Sequence, residues 1–214
     1  MLPVQGSGWE KRMVIIGLAG GIGSGKSTTA AYLRYLGIPV FDASHAAKGV
    51  TVAKGSSSLQ KVADLLGPES ILPNGEMNRS WVAQKVFHDR ALLKQFEAIL
   101  QEQVLHDARL FLEKQKINGA SVVFLDLPLM IEKGWQELTD YVWLIATPRE
   151  IRIQRAVQRD NYLPEETVVA RINAQLPLEE LKKYADVMID NSSTFEHTKV
   201  QILEELRKIE LSSL

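Results

Sequence analysis

A lysine and a hydroxyl residue close a run of glycines in Gly20-Gly21-Ile22-Gly23-Ser24-Gly25-Lys26-Ser27. The spacing G-x-x-x-x-G-K-[ST] is matched at every fixed position, and the chemistry it suits is the binding of a polyphosphate. Glycines let the backbone curl until its N–H groups converge on one anion, and a helix starting near Lys26 aims the positive end of its dipole at the same point. Lys26 then reaches the β- and γ-phosphates as a point charge, while the Ser27 hydroxyl ligates a bridging magnesium ion. A dinucleotide fingerprint is the nearest rival pattern. Lys26 occupies its third glycine position after Gly21 and Gly23, which disfavours a nicotinamide cofactor.

Two carboxylates and a set of arginines could complete that chemistry. Asp42 follows the short apolar run Ile38-Pro39-Val40-Phe41, and Asp126 follows Ser121-Val122-Val123-Phe124-Leu125. Both stand at carboxyl ends of expected strands, where open α/β sheets place their ligands. Asp126 sits where an acid would hold magnesium directly or through water; the plainer alternative is an ordinary polar strand end. Arg152, Arg155 and Arg159 are spaced by three and four residues, which puts three guanidinium groups on one helix face as a candidate phosphate clamp or as a solvated surface. A following helix from Pro164-Glu165-Glu166 carries Arg171. Such a pair of helices would make a lid that closes over phosphates and excludes water.

The elements that must position these residues are legible in the pattern. Met13 to Leu18 reads as a buried strand feeding the glycine loop, and Ala30, Leu33 and Leu36 then repeat at helical spacing until Gly37. Val50 to Lys116 is mostly helical, with stripes at Leu59, Val62, Ala63 and Leu66 and at Leu92, Phe96, Ile99, Leu100 and Leu105, separated by the turn Pro73-Asn74-Gly75. A block of this size exceeds what a crossover needs and reads as an insertion forming a substrate lobe. Tyr141 to Ala146 is the next strand, and Thr147-Pro148-Arg149-Glu150 predicts a capping box with proline at the first helical position. Ala185 to Asp190 is a last strand, Asn191-Ser192-Ser193-Thr194 a turn, and Phe195 to Ile209 a terminal helix. Five strands alternating with helices predict a three-layer α/β sheet with right-handed crossovers.

Composition narrows the partners. The 214 residues suffice for one domain with insertions, and 25 basic against 26 acidic residues leave a formal net charge of −1, so no global basic field holds a nucleic acid. The absence of cysteine removes disulfides and thiolate metal sites and suits a cytoplasmic protein. No apolar stretch approaches the roughly 18 residues of a membrane span. Residues 1–12 read as an N-terminal extension. Asp64-Leu65-Leu66-Gly67 matches the D-x-x-G of a GTPase, but within a helical stripe, and no N-K-x-D segment accompanies it.

Taken in order, the chain resembles the dephospho-CoA kinase family. The likeness rests on Gly17 to Thr28, Leu36 to Ala43, Leu127-Pro128-Leu129-Met130-Ile131-Glu132, Gln154-Arg155, Gln158-Arg159-Asp160, Arg171-Ile172-Asn173-Ala174-Gln175 and Ala185 to Asn191. The resemblance implies a P-loop kinase fold with a five-stranded parallel sheet, a helical insertion and a helical lid. The nucleotide core would be residues 13–42, 120–150 and 185–214, the acceptor lobe 43–116 and the lid 151–176, all in one domain. It implies transfer of the γ-phosphoryl of ATP, with magnesium, to the ribose 3′-hydroxyl of dephospho-CoA, in a monomer or small homo-oligomer. By that likeness Gly21, Ile22, Gly23, Ser24, Gly25, Lys26, Ser27 and Thr28 bind the nucleotide, Arg155 and Arg159 serve in the lid, and Asp190-Asn191 lies by the adenine. Another small-molecule kinase with a different lobe, or a catalytically weak nucleotide-binding relative, are the alternatives.

Two positions depart from the family pattern. After the second strand the family usually has Asp-Ala-Asp, its second acid being the favoured proton acceptor; this chain has Asp42-Ala43-Ser44-His45. Asp42 is the expected replacement, and His45 the alternative, since imidazole titrates near neutrality. At Ile99-Leu100-Gln101-Glu102, Gln101-Glu102 stands where the family commonly has His-Pro.

Overall fold

A computed structural model describes residues 12–43 and 55–212; Ser44 and His45 lie outside them. The strands are β1 (Val14–Ala19), β2 (Val40–Asp42), β3 (Val122–Asp126), β4 (Tyr141–Ala146) and β5 (Val187–Asp190). They form one sheet in the order β2-β3-β1-β4-β5. Val14 to Leu18 run parallel beside Val122 to Asp126, Ile16 to Ala19 beside Tyr141 to Leu144, and Trp143 to Ala146 beside Val187 to Asp190. The expected α/β class with a five-stranded parallel sheet is therefore the observed one. β1 is central, so the glycine loop leaves the middle of the sheet at the carboxyl ends of its strands, where parallel sheets bind ligands.

Strand limits follow local chemistry. Pro39 has no N–H and stays outside β2, but its carbonyl accepts from Phe124 N at 2.9 Å and docks the strand beside β3. Asp186, expected inside the last strand, lies just before it: its carboxylate accepts from Val142 N at 2.7 Å, and β5 begins at Val187, two residues after the expected Ala185.

One face of the sheet packs on two helices, α1 (Lys26–Tyr35) and a terminal helix (Phe195–Ser212). Ile16, Leu18, Phe124, Trp143, Ile145 and Ile189 meet Ala30 and Leu33 of α1 and Ile202 of the terminal helix, all 0–1 % exposed. Burial of the isoleucine, leucine and phenylalanine side chains stabilises the core by about 1.5–3 kcal/mol each. The Trp143 and Phe124 rings meet edge to face, 5.1 Å apart.

The chain divides into two compact units, one holding the segment up to Val40 with Gln115–Leu214, the other Phe41–Lys114. The second unit contains α2 (Ser57–Leu66), α3 (Arg79–Phe87) and most of α4 (Arg90–Ile117). Leu59, Val62, Val82 and Val86 form its core, lined by Leu66, Leu92, Phe96, Ile99 and Leu100. The two expected stripes are thus one core, although Ala63 and Leu105 lie outside it. Asp64 to Gly67 form the end of α2 and its cap, not a switch loop. Asp89 opens α4, its carboxylate accepting from Ala91 N at 2.8 Å and Leu92 N at 3.1 Å. The helix then runs for 28 residues straight through Gln101-Glu102. A proline at the second position would remove a hydrogen bond of that helix. Glu102 instead accepts from Lys61 Nζ at 2.7 Å.

After β4 come α5 (Arg149–Arg159), α6 (Glu165–Asn173) and the short α7 (Leu178–Leu181), followed after β5 by α8 (Phe195–Ser212). The predicted capping box does not form. Pro148 is the residue before α5, and no side chain caps the helix. The Thr147 hydroxyl donates elsewhere, to the carbonyl of Ser24 at 3.0 Å.

Candidate functional site

Gly25 precedes α1 with φ 92°, and no side chain caps that helix. Its first N–H groups are therefore open to an anion. Gly23, with φ 77°, has a second reason to lack a side chain: a Cβ there would collide with the backbone of Arg152, and one at Gly25 with the Asn191 carboxamide. The loop is thus squeezed between α5 and the end of β5. Ser27 and Thr28 are exposed on its open side, whereas Ser24 is buried.

Lys26 Nζ donates to Asp126 Oδ1. Asp126 is 2 % exposed, so the pair is a nearly dry ion contact between the loop and the end of β3. A buried carboxylate of this kind holds an ammonium in one place. The contact brings Asp126, at the end of β3, together with Lys26 of the loop. Asp42 closes β2 and is half-buried.

The three arginines of α5 have three different partners. Arg152 is 5 % exposed; its Nε donates to Ile22 O at 2.9 Å and its Nη2 to Gln175 Oε1 at 3.1 Å. Gln175 Oε1 also accepts from Ile22 N at 2.8 Å. Burial first, and Arg149 second, lower the pKa of Arg152. Arg155 donates to Asn191 O at 2.8 Å. Arg159 donates twice to Asp160, at 2.8 Å each, and Arg171 lies 3.6 Å from the same carboxylate. The hydrogen bond from Arg159 is the main cause that lowers the Asp160 pKa, with the charges of Arg159 and Arg171 adding to it against burial.

Apolar contacts complete the join between loop and lid helices. Ala156, Val168 and Ile172 form the α5–α6 core, and Ile22 of the loop packs against it. Asn191 is likewise turned toward the loop, its Nδ2 donating to Ser24 O at 2.7 Å. The Asp190 carboxylate accepts from Ser192 N at 2.9 Å in a tight turn. Beside Gly20 and Gly21 lies a hollow lined by Leu127, Leu129, Met130 and Glu132. Leu129 has φ 55°, a strained conformation for a leucine and one that gathers at ligand sites.

The chain that folds into this loop, ion pair and pair of arginine-bearing helices matches a family model described as dephospho-CoA kinase over residues 14–197. The chain belongs to the dephospho-CoA kinase family. A dephospho-CoA kinase from Carboxydothermus hydrogenoformans is 37% identical over 194 residues, covering 91% of this chain and 93% of the relative. One from Streptococcus mutans is 37% identical over 196 residues, covering 92% and 98%. A crystal structure from Thermus thermophilus superposes with a TM-score of 0.74 at 35% identity, covering 92% of this chain and 98% of the other. The dephospho-CoA kinase of Campylobacter jejuni, 22% identical with a TM-score of 0.69, agrees in fold.

Gln175 and Thr198 are residues of this region that spacing alone did not single out. Gln175 stood in a family motif and Thr147 in the expected capping box, whose spacing says nothing of its partner Ser24, 123 residues away.

Proposed function

We propose that this chain transfers the γ-phosphoryl group of ATP to the ribose 3′-hydroxyl of dephospho-CoA, the final step in making coenzyme A. The observation that carries this reading is the phosphate loop at the end of the central strand, with Lys26 held on Asp126, in a chain 37% identical to dephospho-CoA kinases. Loop N–H groups and Lys26 bind the triphosphate, and Asp126 keeps the ammonium aimed into the loop. Ser27 and Asp126 supply hard oxygen donors at the loop and the end of β3, a set that fits magnesium held by few protein groups and the nucleotide's own phosphates. When bound, that ion neutralises charge on the phosphate oxygens.

The rest of the reaction is positioning and proton transfer. Arg155 and Arg159 steady the transferring group, and the helical unit Phe41–Lys114 carries the acceptor. Asp42 takes the proton from the 3′-hydroxyl as its oxygen attacks phosphorus and the bond to the ADP oxygen breaks. The cysteine-free sequence supports a cytosolic setting for this chemistry. Among the described residues no helix is long and apolar enough to cross a membrane.

The test is to incubate the protein with magnesium, ATP and dephospho-CoA and to locate the new phosphate on the product. Coenzyme A from the wild type, lost in Asp42→Asn, is the expected result. Coenzyme A only from Ser44→Asp would overturn the role of Asp42 and leave the natural chain without this activity.

A further inference from the structure

The peptide carbonyl of Ser24 points away from the phosphate side of the loop and into a buried polar cluster. It accepts from Asn191 Nδ2 at 2.7 Å and from Thr147 Oγ1 at 3.0 Å. The other end of the Asn191 carboxamide, Oδ1, accepts from Thr198 Oγ1 of α8 at 2.9 Å. The Asn191 carbonyl accepts from Arg155 Nη1 at 2.8 Å and shares the single Thr147 hydroxyl proton with Ser24 O, at the longer distance of 3.3 Å. Ser24, Thr147, Asn191 and Thr198 are each at most 5 % exposed. Buried groups left without a partner are costly, so each member fixes the next.

We propose that Asn191, Thr198 and Thr147 form a clasp that sets the shape of the phosphate loop, and that Asn191 and Thr198 are positioning residues for the triphosphate and not readers of the base. The inference deepens the proposed function and rests on the loop binding ATP. Geometry carries it in three ways. Both ends of the Asn191 carboxamide are engaged by protein, Nδ2 at the Ser24 carbonyl and Oδ1 at the Thr198 hydroxyl. The Ser24–Gly25 segment is where the loop turns into α1, so holding that carbonyl orients the N–H groups that follow. Gly25 lacks a Cβ where the Asn191 amide sits, so the loop and the clasp are shaped to each other. The clasp also receives Arg155, which links the lid helix α5 to the loop through one peptide carbonyl. Thr198 reaches the loop through Asn191, its shortest contact at 2.9 Å, with Asp190 O the next acceptor at 3.2 Å: rotating its hydroxyl away leaves Oδ1 bare and frees the amide to turn.

The experiment separates the two halves of the nucleotide. Thr198→Val, Thr198→Ser and Asn191→Ala are titrated with inorganic tripolyphosphate and, separately, with adenosine, and the steady-state constants for ATP are measured alongside. Thr198→Val is expected to weaken tripolyphosphate binding by about tenfold, the scale of one buried polar group left unpaired. Adenosine binding stays as in the wild type, and Thr198→Ser, which restores the hydroxyl, restores tripolyphosphate affinity. Asn191→Ala shows the same split, larger; if that variant does not fold, Thr198→Val, with its near-identical shape, decides alone. An equal loss for both probes would assign Asn191 to the base and overturn the clasp, as would unchanged tripolyphosphate binding in folded Thr198→Val. Coenzyme A formation by the wild type is scored independently, so a failure of the acceptor assignment leaves these binding ratios intact.

Discussion

Removing the Lys26 ammonium takes one charge from the loop and leaves another behind. Lys26→Ala is expected to lower kcat/KM for ATP by about 100-fold or more, the scale of losing a donor aimed at charge that develops in the transition state. The sequence suggests that such a change touches a ligand contact and spares the fold. The structure adds a cost, because Asp126 is 2 % exposed and loses its cation. Lys26→Ala therefore melts lower, by about 1–3 kcal/mol of stability, and adding Asp126→Asn recovers most of it. Thermal melts of the single and double variants check this; a fully additive pair would show that the two side chains do not depend on each other. Arg152 makes the complementary point. It was one of three apparently equivalent arginines, yet its guanidinium is spent on Ile22 O and Gln175.

The pair α5 and α6 is joined at its turn by charge as well as by apolar packing. Asp160 follows the last residue of α5 and gathers Arg159 and Arg171, one from each helix. Its carboxyl pKa is lowered in the folded protein, chiefly by the hydrogen bond from Arg159. The sign follows: the folded state binds the proton less readily than the unfolded state, so the contribution to stability is present above the ordinary carboxylate range. It is lost as the pH falls through the lowered folded value. The melting-temperature difference between wild type and Asp160→Asn is expected to be largest near neutrality and to shrink below about pH 4. A difference that stayed constant into acid would remove charge as the link between the two helices. The failed capping box belongs to this scale too. Thr147 has the right residue type and spacing for a cap, but its hydroxyl is worth more to the buried Ser24 carbonyl than to a helix end that water can reach.

At the scale of the molecule, ligand binding couples to stability. ATP that binds only the folded chain at about 100 times its Kd stabilises the unit carrying the loop by about 2.7 kcal/mol. A rise in melting temperature with ATP is therefore expected for the wild type and is lost in Lys26→Ala; an equal rise in both would move the nucleotide away from this loop. By itself the sequence determined the sheet and the loop, because both are written in local pattern. Continuous apolar runs of four to six residues, such as Val122 to Leu125, mark strands buried on both faces, and a matched glycine loop between strand and helix admits one main use. The start of the last strand slipped where a single residue, Asp186, has a tertiary role. The partners of the polar side chains were decided by tertiary structure alone. Helical spacing places Arg152, Arg155 and Arg159 near one another but is silent on what each faces, and they face a loop carbonyl, a strand-end carbonyl and a neighbouring carboxylate. Ser24 and Asn191 are 167 residues apart in the chain and 2.7 Å apart in space. A hydrogen bond depends on position within a fraction of an ångström, and only the folded sheet brings those two loops to that distance.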